Sequence, residues 1–195
     1  NTMLLQVNNT RISEAWNIGI EKSTGEIIYF LNSDDVLNDD EVFSKVINVF
    51  NTYECNIIMG NILYVNNKNK IIRNWKININ ENKIISQNEI CNFLKMGWMP
   101  PHPGFFIHRD IFYNKIFFNK SYNISFDYDF MIKSLISKNS KPVYLNYTIS
   151  RMLIGGNSNK LTNIIQKMKE DLKIIYENDI GNFFTLIFKN LRKLP

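Results

Sequence analysis

The sequence contains little of what marks several common classes of protein. It has only two cysteines, Cys55 and Cys91, which lie far apart in apolar or mixed segments. This spacing fits reduced thiols better than a disulfide scaffold. Neither cysteine has a His or a second Cys nearby at ligand spacing, which argues against a zinc site. No basic run is long enough to read as a nucleic-acid arm, so we expect no nucleic-acid partner.

Long apolar runs are missing as well. No run in the sequence could cross a bilayer, and the opening residues show no signal-peptide pattern. We therefore expect a cytoplasmic protein, or one held on the inner face of the plasma membrane. Hydrophobic residues nevertheless make up 45% of the 195 residues, too many for a disordered chain. The net charge of +5 favours an anionic partner, such as a nucleotide or an acidic membrane.

Helical and strand-like segments alternate along the chain. Segment 26–35 opens with a continuous apolar run, typical of a strand buried on both faces, and segments with helical periodicity precede and follow it. The alternation predicts an α/β fold with a mixed, mainly parallel sheet flanked by helices. Amphipathic helices end the sequence. We expect one α/β domain over residues 1–155 and a C-terminal helical extension over residues 156–195.

Two adjacent carboxylates, Asp34 and Asp35, close the first apolar strand. Two charges at the carboxyl end of a buried strand are costly unless a positive group satisfies them. A hard divalent cation bridged to phosphate oxygens is a usual partner. The pair therefore favours a site for Mn²⁺ or Mg²⁺ and a nucleotide diphosphate. A turn that simply ends the strand is the alternative. An EF-hand is excluded, because its central glycine and its final glutamate are missing.

Three blocks of sequence resemble family 2 glycosyltransferases of the GT-A fold, and they occur in the family's order. They are ISEAWNIGIEKSTGEIIYFLNSDD, GWMPPHPGFFIHRDIFYNKIFFNKSYNISFDYDFMIKSL and RMLIGGNSNK. The resemblance covers most of residues 11–160 and is strongest to bacterial enzymes that build capsule or lipopolysaccharide sugars. It implies a GT-A-like, Rossmann-like domain. The family's first strands, which grip the base and ribose, are not found, so a truncated, non-catalytic binding or assembly module is the alternative.

The first block resembles the donor half of the family. Asn17 and Gly19 match its Asn-x-Gly element, and Asp34 matches the last acid of its DxD motif. The resemblance makes Asp34 a metal ligand and Asp35 a second metal contact, while Asn32 stands in place of the first acid. It implies a metal-dependent enzyme that binds a nucleotide sugar, a UDP-sugar first of all, with Mn²⁺ or Mg²⁺.

The second block resembles the acceptor half. Asp127 matches the acidic motif and is implied to be the base that takes a proton from the acceptor hydroxyl in an inverting single displacement. His102, Gly104 and Asp129 are expected to contact the substrate. The alternatives are a structural histidine and two acids that complement a helix N-terminus. The implied acceptor is a glycan or a lipid-linked glycan of the cell surface.

The last segment, residues 183–195, combines an aromatic apolar face with Lys189, Arg192 and Lys193. This pattern is typical of an interfacial helix drawn to anionic lipid, which would suit a lipid-linked acceptor. A terminal helix packed against the domain is the alternative.

Overall fold

The computed structural model describes residues 3–8, 10–81, 83–154 and 161–192, which form a mixed sheet with helices on both faces. The strands are β1 (Ile27–Tyr29), β2 (Val36–Leu37), β3 (Ile57–Val65), β4 (Ile71–Trp75), β5 (Phe105–His108) and β6 (Pro142–Leu153). The helices are α1 (Ile12–Lys22), α2 (Val42–Tyr53), α3 (Gln87–Lys95), α4 (Asp110–Tyr113), α5 (Phe126–Ile136), α6 (Leu161–Glu177) and α7 (Phe183–Leu191).

The strand order in the sheet is β1-β5-β3-β6-β2, and β4 pairs with the second half of β3. Strands β3 and β6 form a long parallel ladder, whereas the other pairings between named strands are antiparallel. Strands β1, β3 and β6 still run in one direction, because β5 lies between β1 and β3 and is antiparallel to both. The predicted mixed α/β fold is confirmed. Hydrogen-bonded parallel pairing, however, is confined to β3 and β6 in the described residues.

Strand β3 forms the centre of the core because both of its faces are buried. Ile57 and Met59 point to one face, where they share a cluster with residues of α1, α3 and α5. Ile58 points to the other face and packs with Val46 and Val49 of α2. This alternation is the period of two expected for a strand. β-branched residues suit such a central strand, and the helices on the two faces supply the covering layers.

Strand β1 carries the chain to the predicted site. Its central residue Ile28 pairs with Ile107 of β5, and the strand ends at Tyr29, so it is shorter than the apolar run indicates. The chain then turns at residues 32–35, where the Asp35 N–H donates to the Asn32 carbonyl oxygen over 3.1 Å. The two acids therefore lie in a turn that follows the carboxyl end of β1.

The C-terminal helices share the core of the preceding elements. Ile174 of α6 and Leu186 of α7 belong to the same cluster as Ile57. The expected boundary at residues 155 and 156 lies outside the described residues. None of the helices in the described ranges is both long enough and apolar enough to span a membrane.

Helix α7 buries the face opposite to the aromatic face that its sequence would favour for burial. Lys189 is 1% exposed, forms a short ion pair with Asp171, and lies 3.9 Å above the ring of Tyr128. Lys167 also contacts Asp171, at 3.1 Å. The prediction that Lys189 faces lipid is therefore wrong, because its charge is used inside the fold. Of the other two predicted lipid contacts, Arg192 donates to the carbonyl oxygen of Met96 at 3.1 Å, and Lys193 lies outside the described residues.

Candidate functional site

Trp16 of α1 brings the predicted site segments together. Its ring stacks on His102, with the centroids 4.9 Å apart and the planes 9° apart. It also contacts Phe30, which follows β1, at 5.0 Å and Phe126, which opens α5, at 5.4 Å. Offset stacked and edge-on ring pairs of this kind stabilise a specific arrangement as well as burying apolar area. Trp16 therefore holds the loop of His102, the end of β1 and the start of α5 at one place.

The loop that carries His102 is buried throughout residues 100–104. Two hydroxyls fix it, because Tyr29 and Ser150 both donate to the carbonyl oxygen of Pro103, at 2.9 and 2.8 Å. Burial lowers the pKa of His102, and the charge of Asp127 acts in the opposite direction without reversing the shift. The imidazole is therefore neutral near pH 7 and lies within electrostatic reach of Asp127.

Asp127 lies half-buried in the first turn of α5. The start of this helix is held by Glu170 of α6, whose carboxylate accepts the backbone N–H groups of Asn123, Ile124 and Ser125 at 3.1, 2.9 and 2.9 Å. Burial alone would raise the pKa of Glu170, but these bonds lower it overall. A capped helix start is a rigid place for a functional carboxylate. The C-terminal helix α6 thus positions Asp127.

Tyr64 on β3 lies within electrostatic reach of both predicted acidic groups. Burial raises its pKa, Arg73 on the paired strand β4 lowers it, and the charges of Asp35 and Asp127 raise it further. Asp35 also adds to the raised pKa of Tyr29, which burial sets at about 12. Tyr64 therefore lies in the electrostatic field of both the turn at residues 32–35 and the start of α5.

The turn at residues 32–35 contains one carboxylate oxygen without a hydrogen bond among the described residues. Asp35 is 5% exposed, and the Asn32 side chain donates to its Oδ2 at 2.8 Å, but no donor in the described ranges reaches its Oδ1. Burial raises the pKa of Asp35, the Asn32 bond lowers it, and the charge of Asp34 raises it again, with a net increase. Asp34 is exposed. Hard cations prefer carboxylate oxygens as ligands. A buried carboxylate oxygen that lacks a hydrogen bond and lies beside a second acid is suited to such an ion.

By this criterion Asp35 suits a divalent cation better than Asp34 does. The sequence analysis expects the opposite, with Asp34 as the ligand and Asp35 as the second contact. No group of three or more His, Cys, Asp or Glu side chains in the described part of the chain is placed to hold a metal ion.

Asn17 and Gly19, which the resemblance places at the donor site, differ in how they are packed. The Asn17 side chain is buried and makes two bonds to the backbone of Phe118, one to its carbonyl oxygen and one from its N–H, both at 2.9 Å. Asn17 therefore ties α1 to the segment before α5. Among the described residues, no atom outside the adjoining backbone of α1 lies within 4 Å of the place where a Cβ at Gly19 would be, so packing does not require glycine there.

Gly104 and Asp129, two predicted substrate contacts, are both buried in the fold. A Cβ atom at Gly104 would overlap the carbonyl oxygen of Gly60 on β3, so this glycine allows the His102 loop to pack against the sheet. Asp129 is fully buried and accepts a 2.8 Å bond from Lys133 one turn along α5. Burial raises the pKa of Asp129, although Lys133 opposes the shift. The structure separates Asp129 from Asp127, as two-residue spacing on a helix requires.

Sequence reasoning missed Trp16, Tyr29 and Tyr64. Trp16 stands directly before the Asn-x-Gly element and is one of only three tryptophans, which was the available signal. Tyr29 and Tyr64 lie in apolar strand runs, where a tyrosine is expected to be a core residue. Their position beside the acids follows from the sheet pairing and not from any local pattern.

Comparison with known proteins is informative at the level of family and fold. The sequence model described as glycosyl transferase family 2 matches residues 2–122. A search of curated proteins finds no match. Among solved structures, S. aureus TarS 1-349 aligns with 14% identity and a TM-score of 0.62, over 96% of this chain and 52% of that one. Its complex with UDP-GlcNAc aligns with 15% identity and a TM-score of 0.64, over 96% and 54%. The chain thus spans about half the length of these structures, and the low identity makes the likeness one of fold.

Proposed function

Because the chain belongs to glycosyl transferase family 2, we propose that it transfers a sugar from a nucleotide sugar to the hydroxyl of an acceptor. The observation that supports this most directly is that Trp16 joins the segments that carry two acidic groups. Its ring packs on Phe30, which precedes the turn with Asp35. It also packs on Phe126, the residue before Asp127. A transferase of this kind needs one acidic group at the leaving diphosphate and another at the attacking hydroxyl.

Asp127 is the proposed base in an inverting single displacement. Its carboxylate takes the proton from the acceptor hydroxyl as that oxygen forms a bond to the anomeric carbon of the donor. The bond between the anomeric carbon and the diphosphate oxygen breaks, and its electron pair leaves with the nucleoside diphosphate. Neutral His102, held by Trp16, offers a hydrogen bond to the sugar or the acceptor without adding a second positive charge. General bases of this kind contribute about 10²–10⁴ in rate.

The turn at residues 32–35 is the proposed diphosphate end of the donor site. Asp35 and Asp34 would hold a Mn²⁺ or Mg²⁺ ion, and Asn32 orients Asp35 through its 2.8 Å bond. Such an ion, when bound, neutralises the negative charge that develops on the leaving diphosphate. Tyr29 keeps the turn close to the His102 loop, because its hydroxyl is bonded to Pro103.

UDP-sugars are the first donors to test, because the structural relative TarS 1-349 is also known in complexes with UDP and with UDP-GlcNAc. A thermal-shift screen against UDP, GDP, CDP and dTDP, each with and without Mn²⁺, tests donor binding by this chain. A ligand that binds the native state raises the unfolding temperature. We expect a shift with one nucleotide that requires Mn²⁺ and is lost in Asp35→Asn. No shift with any nucleotide would favour the non-catalytic module.

The acceptor is proposed to be a cell-surface glycan, or its lipid-linked precursor, reached at the membrane surface. Helix α7 supports this, because it leaves one apolar face exposed while the rest of the helix is packed. This face consists of Phe183, Phe184, Ile187, Phe188 and Leu191. Exposed aromatic residues on a short amphipathic helix suit the headgroup region of a bilayer, and the net charge of +5 favours an anionic one.

A further inference from the structure

The start of α5, the helix that carries Asp127, is held by a neighbouring helix. Ser125 occupies the N-cap position of α5 and is fully buried. A serine at this position usually accepts a backbone N–H of the first turn, but no such bond forms in the described part of the chain. The Ser125 hydroxyl instead accepts a hydrogen bond from Lys167 of α6 at 3.3 Å. Helix α6 therefore provides part of the support that a cap normally provides.

One face of α6 runs along the segment that leads into α5. Lys167, Glu170 and Glu177 lie on this face, because spacings of three and seven residues place side chains on the same side of a helix. Glu177 accepts a 2.5 Å hydrogen bond from the hydroxyl of Tyr122, at the beginning of that segment. Ile174, between the two glutamates, is fully buried in the core. The core therefore anchors the face of α6 that presents its carboxylates to the segment before α5.

Glu170 binds the backbone of this segment with both of its carboxylate oxygens. Its Oε2 accepts the N–H groups of Ile124 and Ser125, both at 2.9 Å, and its Oε1 accepts that of Asn123 at 3.1 Å. Gln166 donates to Oε1 at 3.0 Å and so holds the carboxylate itself. Hydrogen bonds to an ionised carboxylate are stronger than those to a neutral acceptor. A glutamine would replace it only in part, because an amide has one acceptor oxygen.

These bonds are connected to the proposed base by a short stretch of backbone. Ser125 precedes Asp127 by two positions, and its carbonyl oxygen accepts the N–H of Asp129 at 3.1 Å in the first turn of α5. Asp127 Oδ1 accepts the N–H of Tyr128 at 2.8 Å, so the direction of this carboxylate follows the backbone of the same turn. A displacement of about 1 Å in a reacting group can cost about 10² in rate. The position of the backbone at Ser125 therefore matters for proton transfer to Asp127.

We propose that Glu170 is a positioning residue for Asp127. Its carboxylate fixes the backbone at residues 123–125 and thereby directs the Asp127 carboxylate at the acceptor hydroxyl. This role rests on the proposed function, because it requires Asp127 to be the base. The family 2 sequence model matches residues 2–122, so neither Asp127 nor α6 lies in the matched range. Helix α6 then supports the reaction as well as the core.

The test is a double-mutant cycle of Glu170→Ala and Asp127→Asn. The assay measures UDP release from a UDP-sugar, UDP-GlcNAc first, with Mn²⁺ and with water as the acceptor, and it gives kcat and KM separately. With Asp127 present, Glu170→Ala should lower kcat about 10- to 100-fold and change KM less than about twofold, because donor binding does not use the base. In the Asp127→Asn background it should change turnover less than about twofold, because no base is left to position.

Glu170→Gln is the conservative variant and should give a kcat between those of Glu170→Ala and the wild type, since its amide oxygen still accepts some of the bonds. It replaces Glu170→Ala in the cycle if the alanine variant unfolds. The matched control is Glu89→Ala. Glu89 accepts the backbone N–H of Ser86 at 3.0 Å, so this change removes the same kind of carboxylate from the start of α3. It should leave kcat and KM unchanged.

The results separate this role from the proposed function. An equal loss of kcat in both backgrounds, a change confined to KM, or an equal loss in Glu89→Ala would overturn the role of Glu170 and leave Asp127 as the base. Full turnover in Asp127→Asn would overturn the proposed base, and the role of Glu170 with it.

Discussion

The indole of Trp16 lies nearly parallel to the imidazole of His102, with ring centroids 4.9 Å apart. Because His102 is buried and Asp127 acts on it, this stacked pair joins α1 to the proposed catalytic base on α5. Trp16 also packs on Phe126, the residue next to Asp127. Protonation of His102 should therefore affect the stability of the whole site.

The pH dependence of stability should report the burial of His102. Its pKa is lowered from 6.5 in the folded chain, so the unfolded state binds more protons just below that value. Stability should therefore be full above pH 6.5 and fall as the pH drops below it. Chemical denaturation between pH 8 and pH 5 measures this, and His102→Gln should flatten the slope. An equal slope in wild type and His102→Gln would contradict the assignment.

Substitutions in α1 should separate structural from donor-binding roles. Asn17→Ala leaves the N–H and the carbonyl oxygen of Phe118 without their partner, so we expect a loss of about 2–4 kcal/mol in unfolding free energy. Gly19→Ala adds a methyl group in open space inside a helix and should stabilise by about 0.5–1 kcal/mol. Both variants should bind UDP with Mn²⁺ as the wild type does while folded. Loss of nucleotide binding in a stable Gly19→Ala protein would restore the donor role that the resemblance implies.

Asp35 should cost stability when no ligand is present. Its pKa is raised by burial, so the ionised carboxylate disfavours the folded state at neutral pH. Asp35→Asn should therefore raise the unfolding temperature of the ligand-free protein, by about 2–4 °C if the cost is about 1 kcal/mol. The same variant should lose the further increase that Mn²⁺ with nucleotide gives the wild type. Exposed Asp34→Asn is the control for the first effect and should raise the ligand-free temperature less, because it removes only the repulsion that Asp34 exerts on Asp35. A destabilised Asp35→Asn protein with normal nucleotide binding would refute the proposed role.

Helix α7 offers a clear contrast between its buried lysine and its exposed rings. Lys189→Met removes one partner of a buried ion pair and should destabilise the fold by about 3 kcal/mol. It should not change binding of the folded protein to vesicles rich in phosphatidylglycerol. Phe184→Ser with Phe188→Ser should have the reverse effects, little change in stability and weaker vesicle binding, since both rings are exposed. Co-sedimentation with vesicles measures the second quantity. Unchanged vesicle binding in the phenylalanine pair would rule out this face as the membrane contact.

Much of the fold is predictable from local pattern, because its central elements have strong signals. The apolar run of β3 and the periodicity of α2, α5 and α6 follow from burial on both faces or on one face. The position of Asp34 and Asp35 after β1 is predictable for the same reason. Strand β2 has only two residues, too few for any periodic signal.

The sequence does not show which residues that are distant along the chain contact each other in the fold. Asn17 is structural because Phe118, 101 residues away, offers both its backbone groups. Lys189 is buried because it forms an ion pair with Asp171 on α6. Helix α7 therefore exposes the aromatic face that its amphipathic pattern alone would predict to be buried. The sequence likewise does not show which of the adjacent residues Asp34 and Asp35 is buried, because both lie in the same turn.

The central claim is that Asp127 is the base of a sugar transfer, and a comparison of turnover with donor binding tests it most directly. Release of nucleoside diphosphate should be measured with the donor found in the thermal-shift screen, for the wild type and for Asp127→Asn, together with donor affinity. We predict that Asp127→Asn lowers turnover about 10²–10⁴-fold and leaves donor affinity unchanged. Asp129→Asn is the matched control, because it removes a second acid of the same helix while an amide oxygen can still accept the hydrogen bond from Lys133, and the folded protein should keep most of its turnover. Full turnover in Asp127→Asn would contradict the account.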